Sequence, residues 1–297
     1  MSGVDPPGTV RWREFYDEAQ ARLTAAKLPS PQSDARRIVE QACGAEGAEF
    51  FPMLDQLATV RGVARFDRML ARREAGEPLQ YVLGRWGFRR LDLLVDRRVL
   101  IPRPETEQVT EWALAELARF AAASSGPLAV ADLGTGSGAI ALSLAAEHPT
   151  VQVWATDQSA EALAVARANL AGLGRPAERV RLAEGWWFEA LPVELRGKLA
   201  LVVSNPPYVS AAETLPEEVV AWEPGAALIA GPTGLEAIET LIRSAYEWLS
   251  PGAALVLEMA PTQAESACEL ARRRGYREIE TRADLAGRQR ALLARKG

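Results

Sequence analysis

The sequence predicts an α/β fold: a mostly parallel, seven-stranded sheet with helices on both faces, preceded by a small helical domain. Three observations carry this. From Leu128 onward, strand-length apolar runs alternate with stretches of helical periodicity, and strands joined through helices run parallel. Seven such runs occur: Leu128–Leu133, Val151–Thr156, Val180–Leu182, Leu199–Ser204, Ala254–Met259, Tyr276–Thr281 and Arg290–Ala294. The last two close the sheet as a terminal pair. Before them, residues 10 to 76 are rich in alanine, leucine, arginine and glutamate, with breaks at Pro29-Ser30-Pro31 and from Gly44 to Pro52, which reads as a helical domain.

The first nine residues, with Pro6-Pro7-Gly8, have neither a basic start nor an apolar stretch. They read as a disordered lead and not as a signal peptide. A helix over about 60–75 places Arg61, Arg65, Arg68 and Arg72 on one face, since residues three and four apart share a helix surface. This is either a solvated basic face or a docking surface for an acidic or RNA-bound partner. Residues 77 to 103 change character. Trp86-Gly87-Phe88, Leu91–Val95 and Val99-Leu100-Ile101, with Asp96-Arg97-Arg98 as a turn, predict a β-hairpin linker. Pro104, followed by Glu105 and Glu107, opens a helix that runs to about Ala123, because proline suits the first helical turn and carboxylates suit its positive end. Residues 104 to 297 form the α/β domain. Its helices cover 139–147, 159–171, 234–249 and 263–274.

Composition narrows the chemistry. The chain has 297 residues, 48% hydrophobic and 25% charged, with a net charge of −5, which argues against a protein that coats nucleic acid. No 18-residue apolar run exists to span a membrane. Cys43 and Cys268 lie far apart and read as reduced residues of a cytoplasmic protein. The single histidine, His148, precedes Pro149 at a helix end. No His pair is available for a metal, and no metal is expected.

Two motifs lie where α/β sheets bind ligands, at strand C-terminal ends. In Asp132-Leu133-Gly134-Thr135-Gly136-Ser137-Gly138, glycines let the backbone turn tightly and approach a ligand. Asp157 ends the next strand, 23 residues after Gly134, at the distance of a carboxylate that grips a ribose diol. A nicotinamide dinucleotide is one reading. However, the spacing is GxGxG, and Asp132 would repel a pyrophosphate but attract an ammonium or sulfonium, which points to S-adenosylmethionine. The second motif is Ser204-Asn205-Pro206-Pro207-Tyr208. Neither proline has an N–H to donate, so the corner presents acceptors. The Asn205 side-chain oxygen and the Pro206 carbonyl are expected to accept the two N–H bonds of a planar target group, with Tyr208 stacked on it. Asn205, Pro206, Pro207 and Tyr208 are thus the candidate catalytic and acceptor-binding residues. Val209 to Gly234 shows little periodicity and reads either as a lid or recognition loop, which Glu223-Pro224 would anchor, or as a mere connector.

With these residues in view, the chain resembles the HemK-type release-factor glutamine methyltransferases. The resemblance rests on Glu77-Pro78-Leu79-Gln80-Tyr81, Ile101-Pro102-Arg103-Pro104-Glu105-Thr106-Glu107, Asp132 to Gly138, Ser204 to Tyr208, Glu223-Pro224, and Asp284 with Gly287-Arg288-Gln289-Arg290. It covers residue 77 to the C-terminus and, more loosely, the N-terminal helices. It implies a Rossmann-like S-adenosylmethionine-dependent domain joined to the helical domain by a β-hairpin. The implied reaction is methylation of the glutamine side-chain nitrogen in the Gly-Gly-Gln motif of class-1 peptide release factors. Asp132, Gly134, Thr135, Gly136, Ser137, Gly138, Asp157, Trp187 and Asn205 would hold the cofactor, and the helical domain would grip the release factor. The enzyme is expected to act as a monomer without contacting nucleic acid or membrane. One departure concerns adenine: Glu184-Gly185-Trp186-Trp187-Phe188 has Trp186 where the family has an acid, so Glu184 or a backbone carbonyl would replace it. Three rivals remain at this point: a methylase of an adenine amine in DNA or RNA, a methylase of a ribosomal-protein glutamine, and a non-catalytic translation-factor binder.

Overall fold

The computed structural model describes residues 9–124 and 126–297. The expected disordered lead thus lies outside the described residues, apart from Thr9. The chain divides into two compact units, residues 1–84 and 85–297.

The first unit is helical: α1 Trp12–Ala25, α2 Pro31–Cys43, the single turn α3 Phe50–Met53, α4 Val60–Glu74 and α5 Leu79–Leu83. Trp12, Leu23, Ile38, Phe50, Phe66 and Leu70 close its core. Gly62 lets α4 lie against α1, since a Cβ there would sit 2.7 Å from the Trp12 ring. Inside this core Arg73 donates to Asp34 at 2.8 Å and to the Glu77 carbonyl, so both buried charges are paired. Helix α5 falls within the stretch expected to form the hairpin linker. It is helical because Gly84 ends it in the left-handed region (φ 72°) and because Leu79, Tyr81 and Val82 are buried. On α4, Arg61, Arg65 and Arg68 are exposed. Arg72 is not available in the same way. Its guanidinium holds Glu77 at 2.6 and 2.7 Å and the carbonyls of Tyr81 and Val82.

The second unit begins with the hairpin β1 Arg85–Phe88 and β2 Leu91–Leu94. Its turn is Arg89-Arg90, and Arg89 sits at φ 52°. Residues 99–101 form no strand: the Ile101 N–H is taken by the Glu223 carboxyl at 3.1 Å and so cannot serve a sheet ladder. Next come α6 Pro104–Ala122, β3 Leu128–Leu133, α7 Ala139–Glu147, β4 Val151–Asp157, α8 Ala160–Ala171, β5 Val180–Glu184, β6 Leu199–Ser204, β7 Val209–Ser210, α9 Glu217–Trp222, β8 Ile229–Gly231, α10 Glu236–Trp248, β9 Leu249–Glu258, α11 Ala264–Arg274, β10 Tyr276–Ala283 and β11 Gln289–Lys296. The seven-stranded sheet has the order β10-β11-β9-β6-β3-β4-β5. β9, β6, β3, β4 and β5 pair in parallel, while β11 pairs antiparallel to β9 and to β10. All six residues of β6 are buried, as expected for a central parallel strand with both faces covered. The stretch after Tyr208 is not wholly irregular, since it carries β7, α9 and β8. Among the described residues, no helix is long and apolar enough to cross a membrane.

Candidate active site

The C-terminal ends of β3, β4 and β6 border a cavity of about 680 Å³. The glycine loop after β3 forms its floor. Gly134, Gly136 and Gly138 adopt φ of 73°, 55° and 85°, a region costly for residues with a Cβ. At Gly136 a Cβ would meet no atom within 4 Å, whereas at Gly134 it would press on the Trp187 ring at 3.3 Å. The loop therefore leaves open space over Gly136 and a tryptophan wall over Gly134.

Two aspartates fix this loop. Asp157 accepts from the Gly136 N–H and the Ser159 N–H, both at 2.9 Å. Burial raises its pKa against the pull of these bonds. Asp132 lies fully buried beneath the loop and does not line the cavity. One oxygen accepts from the Thr135 hydroxyl at 2.6 Å and the Ala141 N–H at 3.0 Å, while Oδ1 has no partner. Burial pushes its pKa up to about 7. A buried acceptor without a donor is a standing cost, which a cationic ligand above the loop would relieve. The Trp187 Nε1 is likewise buried and unpartnered, and Trp187 sits at φ 46°. An orphaned carboxylate oxygen beneath the loop and an orphaned N–H on a strained residue of the cavity wall suit a ligand with both cationic and acceptor groups, as S-adenosylmethionine has.

The cavity wall includes Gly134, Thr135, Gly136, Ser137, Asp157, Trp186, Trp187, Asn205 and Pro207, but not Gly138, Pro206 or Tyr208. Gly138 instead caps α7, and its missing Cβ makes room for Leu142, 3.1 Å from where one would stand. Glu184, offered as the adenine partner, is exposed and outside the wall. Trp186 and Gly185 occupy that side.

At the corner after β6, the Asn205 amide donates to the Thr106 hydroxyl at 3.2 Å. Thr106 donates to Glu258 Oε2 at 2.7 Å, and Tyr208 donates to Glu258 Oε1 at 3.3 Å. Tyr208, expected to stack on the target group, thus points its hydroxyl at a buried carboxyl instead. Burial and that carboxyl push its pKa up. Glu258 is 1% exposed, and burial raises its pKa to about 7. Sequence reading missed Glu258 altogether and gave Thr106 no role; the only signal was a lone carboxylate ending an otherwise apolar strand. Gln263 fixes the far side of the corner by donating to the Tyr208 and Gly234 carbonyls at 2.8 and 3.0 Å. No described residue donates to the Asn205 Oδ1, on the cavity wall, or to the carbonyl of Pro206, which is buried outside that wall.

The loop expected to act as a lid is anchored by Glu223. This buried carboxylate binds the Ile101 N–H and the Arg103 guanidinium, while Arg97 lies over the Trp222 ring at 5.0 Å. Pro224, Ala226, Ala227 and Ile229 then reach the cavity wall. On its other side, Asn169 of α8 bonds the Leu94 N–H and carbonyl at 2.7 and 3.1 Å and the Ser137 carbonyl at 2.9 Å. The hairpin is thereby tied to the glycine loop.

Known proteins share both parts of this chain. Residues 14–84 match the family model of the PrmC N-terminal domain, and residues 117–223 match that of the methyltransferase small domain. The release factor glutamine methyltransferase of Deinococcus radiodurans is 38% identical over 97% of this chain and 99% of its own. That of Cereibacter sphaeroides is 39% identical over 96% and 99%, and that of Moorella thermoacetica 41% identical over 95% and 97%. The solved hMettl16 catalytic domain superposes with a TM-score of 0.53 at 15% identity, covering 82% of this chain and 84% of that one, which shows a shared fold. The relatives match nearly end to end, across the helical unit and the sheet alike. This chain therefore belongs to the release factor glutamine methyltransferases, a family of S-adenosylmethionine-dependent enzymes that methylate protein glutamine.

Proposed function

We propose that this methyltransferase modifies the side-chain nitrogen of the glutamine in the Gly-Gly-Gln motif of class-1 peptide release factors. The observation that carries this reading is a pair of acceptors at the corner with no donor of their own. Asn205 Oδ1 and the Pro206 carbonyl are both free of donors, and neither Pro206 nor Pro207 has an N–H. A primary amide has two N–H bonds to place, and this corner offers two acceptors. The names of the relatives support a release factor as the protein that bears it.

S-adenosylmethionine, when bound, supplies an electrophilic methyl group on a sulfonium. Gly134 to Ser137 would bind its amino-acid part, Asp157 its ribose, and Trp186 and Trp187 its adenosine. The amide nitrogen is a weak nucleophile because its lone pair is shared with the carbonyl. Asn205 and Pro206 hold it in one orientation, and acceptors around it stabilise the positive charge that builds as it reacts. The anchored loop bearing Pro224 and Ile229 screens the acceptor from water. No strong base is needed, since an N-methylated amide cation sheds its proton readily.

The test is a methyl-transfer assay with labelled S-adenosylmethionine and, in separate arms, a class-1 release factor, its Gly-Gly-Gln glutamine→Ala form, and DNA. Label on the first alone is the expected result. Label on DNA, or equal label on the Ala form, overturns the reading. Asn205→Ala should lower kcat on the factor by about 100-fold or more, with the cofactor Kd changed only a few-fold.

A further inference from the structure

Glu258 lies behind the corner, outside the cavity wall, and Thr106, which reaches that wall, links it to Asn205. Glu258 ends β9, Thr106 lies in the first turn of α6, and they are 152 positions apart in sequence. Neither side chain serves the hydrophobic core in the ordinary way. Both are buried, at 1% and 4% exposure, and both spend their hydrogen-bonding capacity on each other and on the corner. The directions of these bonds decide the issue. A threonine hydroxyl has one hydrogen and can accept with its lone pairs. Its hydrogen is committed to Glu258 Oε2 at 2.7 Å. What it offers Asn205 is therefore a lone pair, and only the amide N–H₂ of Asn205 can use that. The 3.2 Å contact from Nδ2 fits. The Asn205 oxygen is then left facing away from Thr106, which is the orientation that the acceptor amide needs.

We propose that Glu258 and Thr106 are positioning residues that set which end of the Asn205 amide faces the reacting glutamine. This inference rests on the reading of Asn205 given above. An ionised Glu258 accepts from Thr106 at one oxygen and from Tyr208 at the other, so the chain runs in one direction, from Asn205 N–H to Thr106 to carboxylate. A proton on Oε2 reverses it. Glu258 then donates to Thr106, the Thr106 hydrogen turns toward Asn205, and Asn205 must present Oδ1 to it. That leaves N–H₂ in the cavity, where it faces the N–H₂ of the acceptor and repels it. Only one hydrogen is gained, and the Thr106 hydroxyl donates and accepts in both arrangements.

The charged groups that face Glu258 are Arg290 of β11, which favours the ionised form, and Glu105 of α6, which opposes it. Arg290 is itself held by Asp284 at 3.3 Å and lies 3.7 Å from Glu105. Tyr208 faces it from the corner. The paired stretch of β6, Leu199–Ser204, contains no titratable group. Burial outweighs the single arginine, and Glu258 therefore changes charge near neutral pH instead of near pH 4.

The experiment compares the full-length wild type with Thr106→Val, Thr106→Ser and Glu258→Gln. The inference expects Thr106→Val, nearly isosteric, to lose at least tenfold in kcat on the release factor with an unchanged cofactor Kd. Thr106→Ser, which keeps the hydroxyl, should stay within about threefold of wild type. The wild-type kcat should rise through a limb between about pH 6 and 8, and Glu258→Gln should lack that limb. Thr106→Val within twofold of wild type, or a limb that persists in Glu258→Gln, overturns the inference. A second readout needs no acceptor at all: the side-chain ¹⁵N–H₂ signals of Asn205 in the free protein. They should shift with pH across the same range in wild type and stay constant in Glu258→Gln; signals that do not titrate in wild type also overturn it. If the wild type methylated no release factor, the proposed substrate would fall, while the Asn205 signals would still decide the inference.

Discussion

At the scale of single residues, Asp132 and Glu258 set the pH response of the fold. Both are buried, and burial raises each pKa to about 7. A carboxyl whose folded pKa is raised favours folding most below its unfolded value near 4. That contribution fades as pH climbs through the folded value. The wild type should therefore lose stability relative to Glu258→Gln between about pH 4.5 and 7.5, by about 3 kcal/mol. Denaturant unfolding of both proteins across that range measures it; a difference that does not change with pH contradicts the burial account. Asn205 and Asp157 were legible in the sequence because type and spacing alone mark them: an amide before two prolines, an acid one strand past a glycine loop. Glu258 was not, because its meaning depends on Thr106 and Tyr208, and only the folded sheet brings these three side chains together. The tie of the Tyr208 hydroxyl to Glu258 was not legible for the same reason.

At the scale of elements, the loop over the cavity depends on one carboxylate. Glu223→Ala would leave the Ile101 N–H unpaired and Arg103 without its partner, at a cost of about 2 kcal/mol. The loss should fall on the loop. Amides of residues 211–228 should exchange with solvent markedly faster, while those of β3 and β6 hold their protection; uniform loss throughout the second unit would mean that Glu223 supports the whole fold. The sequence made the anchor legible, since an acid before a proline stood out in an irregular stretch. It made the hairpin legible, and the turn it marked at Asp96-Arg97-Arg98 is present, closed by the Val99 N–H on the Asp96 carbonyl at 3.0 Å, but it marked none between the two strands. The turn that joins β1 to β2 is Arg89-Arg90, which carries no glycine, asparagine or proline to announce it. Arg89 accepts a left-handed backbone because its side chain is gripped from outside, by Glu147 at 2.6 and 2.8 Å and Glu111 at 2.6 Å, while Glu107 takes its N–H at 3.1 Å. No local signal encodes a turn that distant residues hold. β6, by contrast, was read within its true bounds, because a run that is apolar throughout needs no partner to be recognised.

At the scale of the whole molecule, a net charge of −5 coexists with exposed Arg61, Arg65 and Arg68 on α4. If this face grips the acceptor protein, its contribution is binding energy remote from the reacting atoms. The double reversal Arg65→Glu with Arg68→Glu should then raise KM for a full-length release factor roughly tenfold at low salt, and less at high salt. KM for a short Gly-Gly-Gln peptide should not move, and equal effects on both substrates would remove α4 from recognition. The architecture of the second unit was legible almost entirely, since periodicity, strand length and connection length all act locally. The order of the strands ties the two halves of the site to different parts of the chain. β10 joins the sheet only through β11, which follows it in the chain and lies between it and β9. The Met259 N–H bonds the Arg290 carbonyl of that last strand, and Arg290 faces Glu258. The glycine loop is set by the neighbouring parallel strands β3 and β4, whereas the surroundings of the acceptor corner are completed by the last strand of the chain.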